Sequence, residues 1–213
     1  MGVKERRERE KLETREKILD AARELFVAEG YDGVSMRKIA DKIEYTATTI
    51  YDYFDDKDEL LLVICHEDFR RLAHSLIGLA QVADPVERLK KIGPAYIEFG
   101  QKHPNHYRTM FMTPHPPFLQ AEMELALAGQ GNPEEDAYEF LRASVEEAMK
   151  AGAFREGLND ANLVAQTLWA GVHGVISLQI AKCEDKWVPW RSLKKRVELM
   201  IDSQLHGLLK ERK

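Results

Sequence analysis

The chain has 213 residues, 44% hydrophobic and 31% charged, with 31 basic and 36 acidic side chains and a formal net charge of −5. That is the balance of a globular protein with enough length to bury a sizeable core as one large domain or two small ones. No apolar run approaches the roughly 18 to 20 residues of a membrane span, and two cysteines, Cys65 and Cys183, do not make a disulfide framework.

The total charge counts against nucleic-acid binding, but binding depends on where charge sits. The first basic run, Lys4 to Lys11, sets Lys4, Arg6, Arg7, Arg9 and Lys11 against three glutamates. It reads as a frayed, solvated tail, with an arm touching DNA phosphates or the minor groove as the functional alternative. No secretory signal is expected, because no apolar segment follows it. With the thiols reduced, a cytoplasmic protein is expected.

From Thr14, taken as a cap, Ile18, Ala21, Ala22, Leu25 and Phe26 share one helical face, and Gly30 stops that helix. Ser35 can cap a short helix to about Ile43. Thr46 can cap a second, Ala47 to Tyr53. A long helix is expected from about Lys57 to Ala80, then one opened by Asp84-Pro85, with a kink at Pro94. A short helix spans about Pro104 to Met112, and Thr113 to Pro117 is a loop. Leu119 to Ala128 reads as helix and Gly129 to Pro133 as a linker. Further helices run over Glu134 to Ala151, from Asn159 or Asp160 to about Lys182, and from about Arg191 to Leu209. The predicted fold class is all-α, without repeats or strands.

Two short helices joined by a tight turn and braced by a longer one have the layout of a helix-turn-helix, whose second helix enters the major groove. That explains why threonine and tyrosine, which prefer strands, crowd the stretch from Thr46 to Tyr53. Thr46, Thr48 and Thr49 offer hydroxyls and methyls to phosphates and base edges. Ile50 and Phe54 pin the helix inward, while Tyr51, Tyr53, Lys57 and Arg37 can reach phosphates.

The stretch Gly30 to Leu61 resembles the DNA-binding segment of the TetR/AcrR family of bacterial transcriptional regulators. Gly30-Tyr31, Ser35, Arg37, Ile39-Ala40, Thr46, Thr49, Ile50-Tyr51, Phe54, Lys57 and Leu60-Leu61 carry the resemblance at the family's spacing. It implies a helix-turn-helix domain over 12–65, preceded by the charged arm 1–11. It further implies that Tyr51, Lys57, Thr46 and Thr49 clamp phosphates and that Ala47, Thr48, Asp52 and Tyr53 read bases. One position departs. Glu44 stands in the turn where glycine is usual, so a left-handed backbone there is strained and a carboxylate lies near DNA.

Leu168 to Leu178 is apolar around nearly its whole circumference, which predicts a helix buried on all sides. Trp169, His173 and Gly174, and the stretch Lys102 to Phe111, resemble one subgroup of that family. The resemblance implies that 66–213 forms an effector-binding and dimerisation domain, dimerising through its last two helices with Val197, Met200, Ile201 and Leu205 at the seam. Candidate effector-binding residues are Tyr96, Phe99, Met110, Phe111, Met123, Phe140, Trp169 and His173, around an apolar cavity under the Pro94 kink. Any single one of these reads more readily as core.

His103, His106 and His115 are close in sequence but lack metal-ligand spacing, and no catalytic motif is present. No metal, cofactor or enzymatic activity is therefore expected. The expected function is a homodimeric repressor that binds palindromic operator DNA and releases it on binding a small apolar or aromatic effector. The alternatives are an activator or partner-dependent regulator of the same fold, and a helical carrier or enzyme.

Overall fold

A computed structural model of the chain describes residues 2–119, 121–122 and 131–210. Among these the regular structure is helical, apart from an antiparallel bridge between Phe154 and Leu209. The chain divides into two compact units, Met1–Asp68 with Asn105–Gly129, and Phe69–Pro104 with Gln130–Lys213.

The first unit holds helices α1 (Val3–Gly33), α2 (Met36–Lys42) and α3 (Ala47–Tyr51), the start of α4 (Lys57–Ile77), and α6 (Pro104–Phe111) from its second residue. Ile18, Leu19, Ala22 and Phe26 of α1 are buried with Ile39 and Ala40 of α2, Ile50 of α3, Phe54, and Leu60, Leu61 and Ile64 of α4. Leu119 joins this core, and Phe118 meets the Tyr31 ring edge-on at 5.8 Å.

The N-terminal run is not a frayed tail. It is regular helix from Val3, and Thr14, expected as the cap, donates its hydroxyl to the Glu10 carbonyl at 2.9 Å. Pairs one turn apart hold the run, Arg6 with Glu10 at 2.7 Å and Arg9 with Glu13 at 3.6 Å. Gly30, at φ 71°, ends the regular part of α1 as its position predicts.

An ion pair lies inside this unit. The Arg23 Nε of α1 donates to both oxygens of Asp68 on α4, at 3.1 and 3.0 Å, and both side chains are fully buried. His106 Nδ1 of α6 is 2.8 Å from the same carboxylate, and Asp20 accepts from Arg23 Nη1 at 2.6 Å. Nη2 is 3.0 Å from Asp68 Oδ1 but off the hydrogen-bonding line, so that contact is purely electrostatic.

The second unit packs α5 (Pro85–Lys102), α7 (Ala137–Lys150), α8 (Ala161–Lys182) and α9 (Leu193–Leu208). Asp84, Asp136 and Asp160 cap α5, α7 and α8 by accepting from first-turn amides. Gly152, at φ 69°, closes α7 in a Schellman motif, with Ala153 N–H donating to the Ala148 carbonyl. The chain stays helical through Pro94. The position before it, Gly93, lies against α9, where a Cβ would be 2.7 Å from Ile201 Cδ1.

Helix α8 is not buried on all sides. Val164, Ala165, Val172 and Ile176 are buried, whereas Leu163 and Leu178 are about half exposed. By length and composition alone it is also long and apolar enough to cross a membrane, as the core helix of a globular protein can be. On α9, Val197 and Leu205 are buried within the chain and Ile201 packs on the same core, so three of the four expected seam residues face inward; the exposed leucine is Leu199.

Candidate nucleic-acid interface and sensor region

Local chemistry builds the helix-turn-helix. Ser35 Oγ accepts from Lys38 N–H at 3.2 Å to start α2, and Tyr45 N–H donates to the Ala40 carbonyl at 3.0 Å to close the turn. Glu44 adopts φ 60°, the left-handed conformation expected to be strained without glycine. Thr46 Oγ1 then accepts from Thr49 N–H at 3.2 Å and lies 2.9 Å from Thr49 Oγ1, which starts α3. Both hydroxyls are thus engaged in capping.

Helix α3 is shorter than expected, ending at Tyr51 with Asp52 as its C-cap. Ile50 and Phe54 are buried beneath it. Thr48, Tyr51 and Asp52 are exposed, with Tyr51 at 53%, and Ala47 and Thr49 are half-buried. Tyr53 lies beyond the helix and is half-buried, with Lys11 Nζ of α1 6.0 Å from its ring centre. Arg37 projects from α2, its guanidinium 4.0 Å from Asp41.

Lys57 opens α4 but is not a free surface charge. Its ammonium donates to the Tyr31 carbonyl at 3.1 Å and sits 3.8 Å above the Tyr31 ring. The Tyr31 hydroxyl in turn donates to Asp58; burial, aided by that carboxylate, pushes the phenol up to about 12. Tyr31 therefore fixes where the Lys57 ammonium can reach. Gly30-Tyr31 belongs to the recognised motif, but no spacing in the sequence announces that the ring lies under Lys57.

In the second unit, Trp169 Nε1–H donates to Tyr96 Oη at 3.0 Å, and Tyr96 Oη lies 3.4 Å from His173 Nδ1. Desolvation lowers the His173 pKa, favouring the neutral imidazole. Phe140 is buried in the core that Trp169 packs against, and the Phe99 ring lies 5.2 Å from that of His103, tilted by 48°. Met110 and Phe111 belong to the first unit, where Phe111 lies 4.9 Å from Tyr107, and Met123 is outside the described residues.

The space beside Trp169 and Gly93 is a cavity of about 30 Å³, lined also by Ile92, Leu168, Val172 and Ile201. It has room for a water or two. His115 Nε2 donates to the Thr109 carbonyl at 2.7 Å, and among the described residues no three ligating side chains cluster as a metal site.

Residues 18–64 match a family model described as bacterial regulatory proteins, tetR family, and residues 89–204 match one described as tetracyclin repressor-like, C-terminal domain. The HTH-type transcriptional repressor AcnR of Corynebacterium diphtheriae is 33% identical over 70 residues, 32% of this chain and 37% of that protein. The HTH-type transcriptional activator FasR of Mycolicibacterium smegmatis is 30% identical over 100 residues, 46% of each. The chain thus spans less than half the length of these curated relatives. The structure of the transcriptional regulator FadR from Bacillus subtilis in complex with stearoyl-CoA superposes with a TM-score of 0.71 at 18% identity, covering 90% of this chain and 97% of that one. At that identity the likeness is one of fold.

Proposed function

The chain belongs to the TetR family of bacterial regulatory proteins, and from that premise we propose that it is a DNA-binding transcriptional repressor whose α3 reads palindromic operator DNA. The reading rests on one observation above all. Helix α3 is held by Ile50 and Phe54 and presents Thr48, Tyr51 and Asp52 outward, an exposed polar face on a short helix otherwise fixed by the core. Thr48 is positioned as a base reader, and Tyr51 with Lys57 as phosphate contacts.

A head of this size spans one half-site, and two-fold symmetry sets two heads on successive turns, some 34 to 36 Å or a multiple apart. The exposed Leu163 and Leu178 of α8 and Leu199 of α9 supply an apolar surface suited to a second copy of the chain. The homodimer is therefore part of the proposal, with these leucines in place of Ile201 at its seam.

The second unit is proposed as the sensor, around Tyr96, Trp169 and His173. Ligand pockets usually measure roughly 300 to 1,000 Å³, far above the cavity of about 30 Å³ beside Trp169. An apolar acyl or aromatic effector favours a state in which the Trp169–Tyr96 and Tyr96–His173 hydrogen bonds are exchanged for its own contacts. By favouring that state it shifts the population away from DNA.

Glu44 and Asp52 favour a second reading. Two carboxylates at the reading helix weaken general DNA affinity, as suits a regulator that needs a protein partner or that activates. Selection from a randomised duplex pool, followed by binding and transcription assays, separates the two readings. The repressor reading expects a palindromic site bound by the protein alone, and Thr48→Ala should change the selected sequence. Failure to enrich any site would end the first reading.

A further inference from the structure

Helix α1 begins well before the core needs it. Residues 2–13 are exposed along their whole length, and the stretch from Val3 to Thr14 extends about 18 Å at 1.5 Å per residue. The charges on this extension are sorted by face. Arg6 and Arg9 are paired with Glu10 and Glu13 along the helix. Lys4, Arg7 and Lys11, spaced i, i+3, i+7, share another face, and none of them forms an ion pair among the described residues. Glu8 borders this stripe, one turn from Lys4.

The position of the stripe gives it direction. The same face continues along α1 as Arg15 and then the buried Ile18, the side of the helix that packs into the head. Lys11 Nζ lies 6.0 Å from the Tyr53 ring centre, and the Arg15 guanidinium lies 5.6 Å from the Phe54 ring centre. Tyr53 and Phe54 immediately follow α3. The stripe thus meets the end of the reading helix at Lys11 and Tyr53; Arg15, on the same face, is held by Glu67 at 2.7 Å, and Arg6 and Arg9 pair along another face.

We infer that Lys4, Arg7 and Lys11 form a second DNA contact, a rigid helical rail that tracks the phosphate backbone beyond the bases read by α3. The inference rests on the DNA-binding reading of α3 and adds a sequence-independent anchor to it. One strand places a phosphate every 3.4 Å or so along the axis, and the stretch of about 10 Å from Lys4 to Lys11 matches about three phosphates. Three cations meeting three of them release about three counterions per head. The rail offsets the carboxylates of Glu44 and Asp52 with affinity that carries no sequence preference.

The test uses the full-length protein and a duplex selected by the unmodified chain, with flanks extending a full helical turn beyond the selected bases. Binding is measured between 50 and 200 mM salt for the wild type, for the triple variant Lys4→Ala, Arg7→Ala, Lys11→Ala, and for the control Arg6→Ala, Arg9→Ala. Circular dichroism checks that helicity is kept, as alanine favours. With a slope of about −0.9 per phosphate, the wild type should lose about 40-fold more affinity per head over this range than the triple variant, while the control follows the wild type. Trimming the flanks to the selected bases should abolish that difference. A triple variant with wild-type slope, or a control that loses as much as the triple, would overturn the rail and leave α3 reading intact. Absence of DNA binding by the wild type would overturn both.

Discussion

Asp68→Ala should unfold well below the wild-type temperature. Asp68 and Arg23 are fully buried, and the carboxylate takes two hydrogen bonds from Arg23 Nε and faces His106 Nδ1 at 2.8 Å. Removing it leaves a guanidinium in the core, and breaking a buried pair from one side costs about 3–5 kcal/mol. Asp20, at the surface, still meets Nη1 at 2.6 Å, which puts the loss near the lower end, about 3 kcal/mol. At roughly 2–4 °C per kcal/mol for a chain of this size, the melting temperature should fall by about 6–12 °C. Thermal unfolding followed by circular dichroism at neutral pH reads this directly. The double variant Arg23→Met, Asp68→Leu should recover most of the loss, because an apolar pair of similar volume replaces a buried ion pair nearly neutrally. A single variant within a degree of wild type, or a double variant less stable than the single, would refute the assignment of α1, α4 and α6 to one charge network.

Glu44→Gly should raise the melting temperature by a few degrees, since relief of left-handed strain of about 1–2 kcal/mol exceeds glycine's entropic cost of about 0.4–1 kcal/mol; a lower melting temperature would contradict the strain at φ 60°. The His173 pKa is depressed from 6.5 by burial, so the stability it gives is present above pH 6.5 and lost as pH falls through the folded value. His173→Asn, which keeps a polar group beside Tyr96 and does not titrate, should therefore lose less stability than wild type between pH 7 and 5, and parallel curves would rule this out. Leu178→Glu, on the exposed face of α8, should give a folded monomer by light scattering and the wild type should give a dimer; Ile201→Glu, packed against Gly93, should instead yield misfolded protein.

What was legible in the sequence was local. Ser35 and Thr46 cap their helices and Glu44 turns left-handed because each outcome depends on a few neighbouring backbone groups. The buried face of α1 from Ile18 to Phe26 follows from its period alone. What was not legible depends on partners distant in sequence. Composition marks α8 as apolar but does not tell a face covered by α5 and α9 from one left open at Leu163 and Leu178. The charged run before Thr14 looks like tail by composition, yet its four-residue pairing makes it helix. The motif marks Lys57 as a phosphate contact, but nothing local shows the Tyr31 ring beneath it. Met110 and Phe111 were grouped with Trp169, but the chain from Asn105 returns to the first unit, a long-range choice that a hydrophobic pattern does not encode.

The central claim is that α3 binds DNA with Tyr51 and Lys57 on phosphates, and salt-dependent titration of a selected palindromic duplex tests it most directly. Wild type and the Tyr51→Ala and Lys57→Ala variants are compared by mobility shift over a salt series on specific and non-specific duplexes. Each variant should bind both duplexes more weakly and flatten the slope of log affinity against log salt by about one unit per lost phosphate contact. Unchanged affinity and slope in both variants, with the fold intact, would contradict the claim.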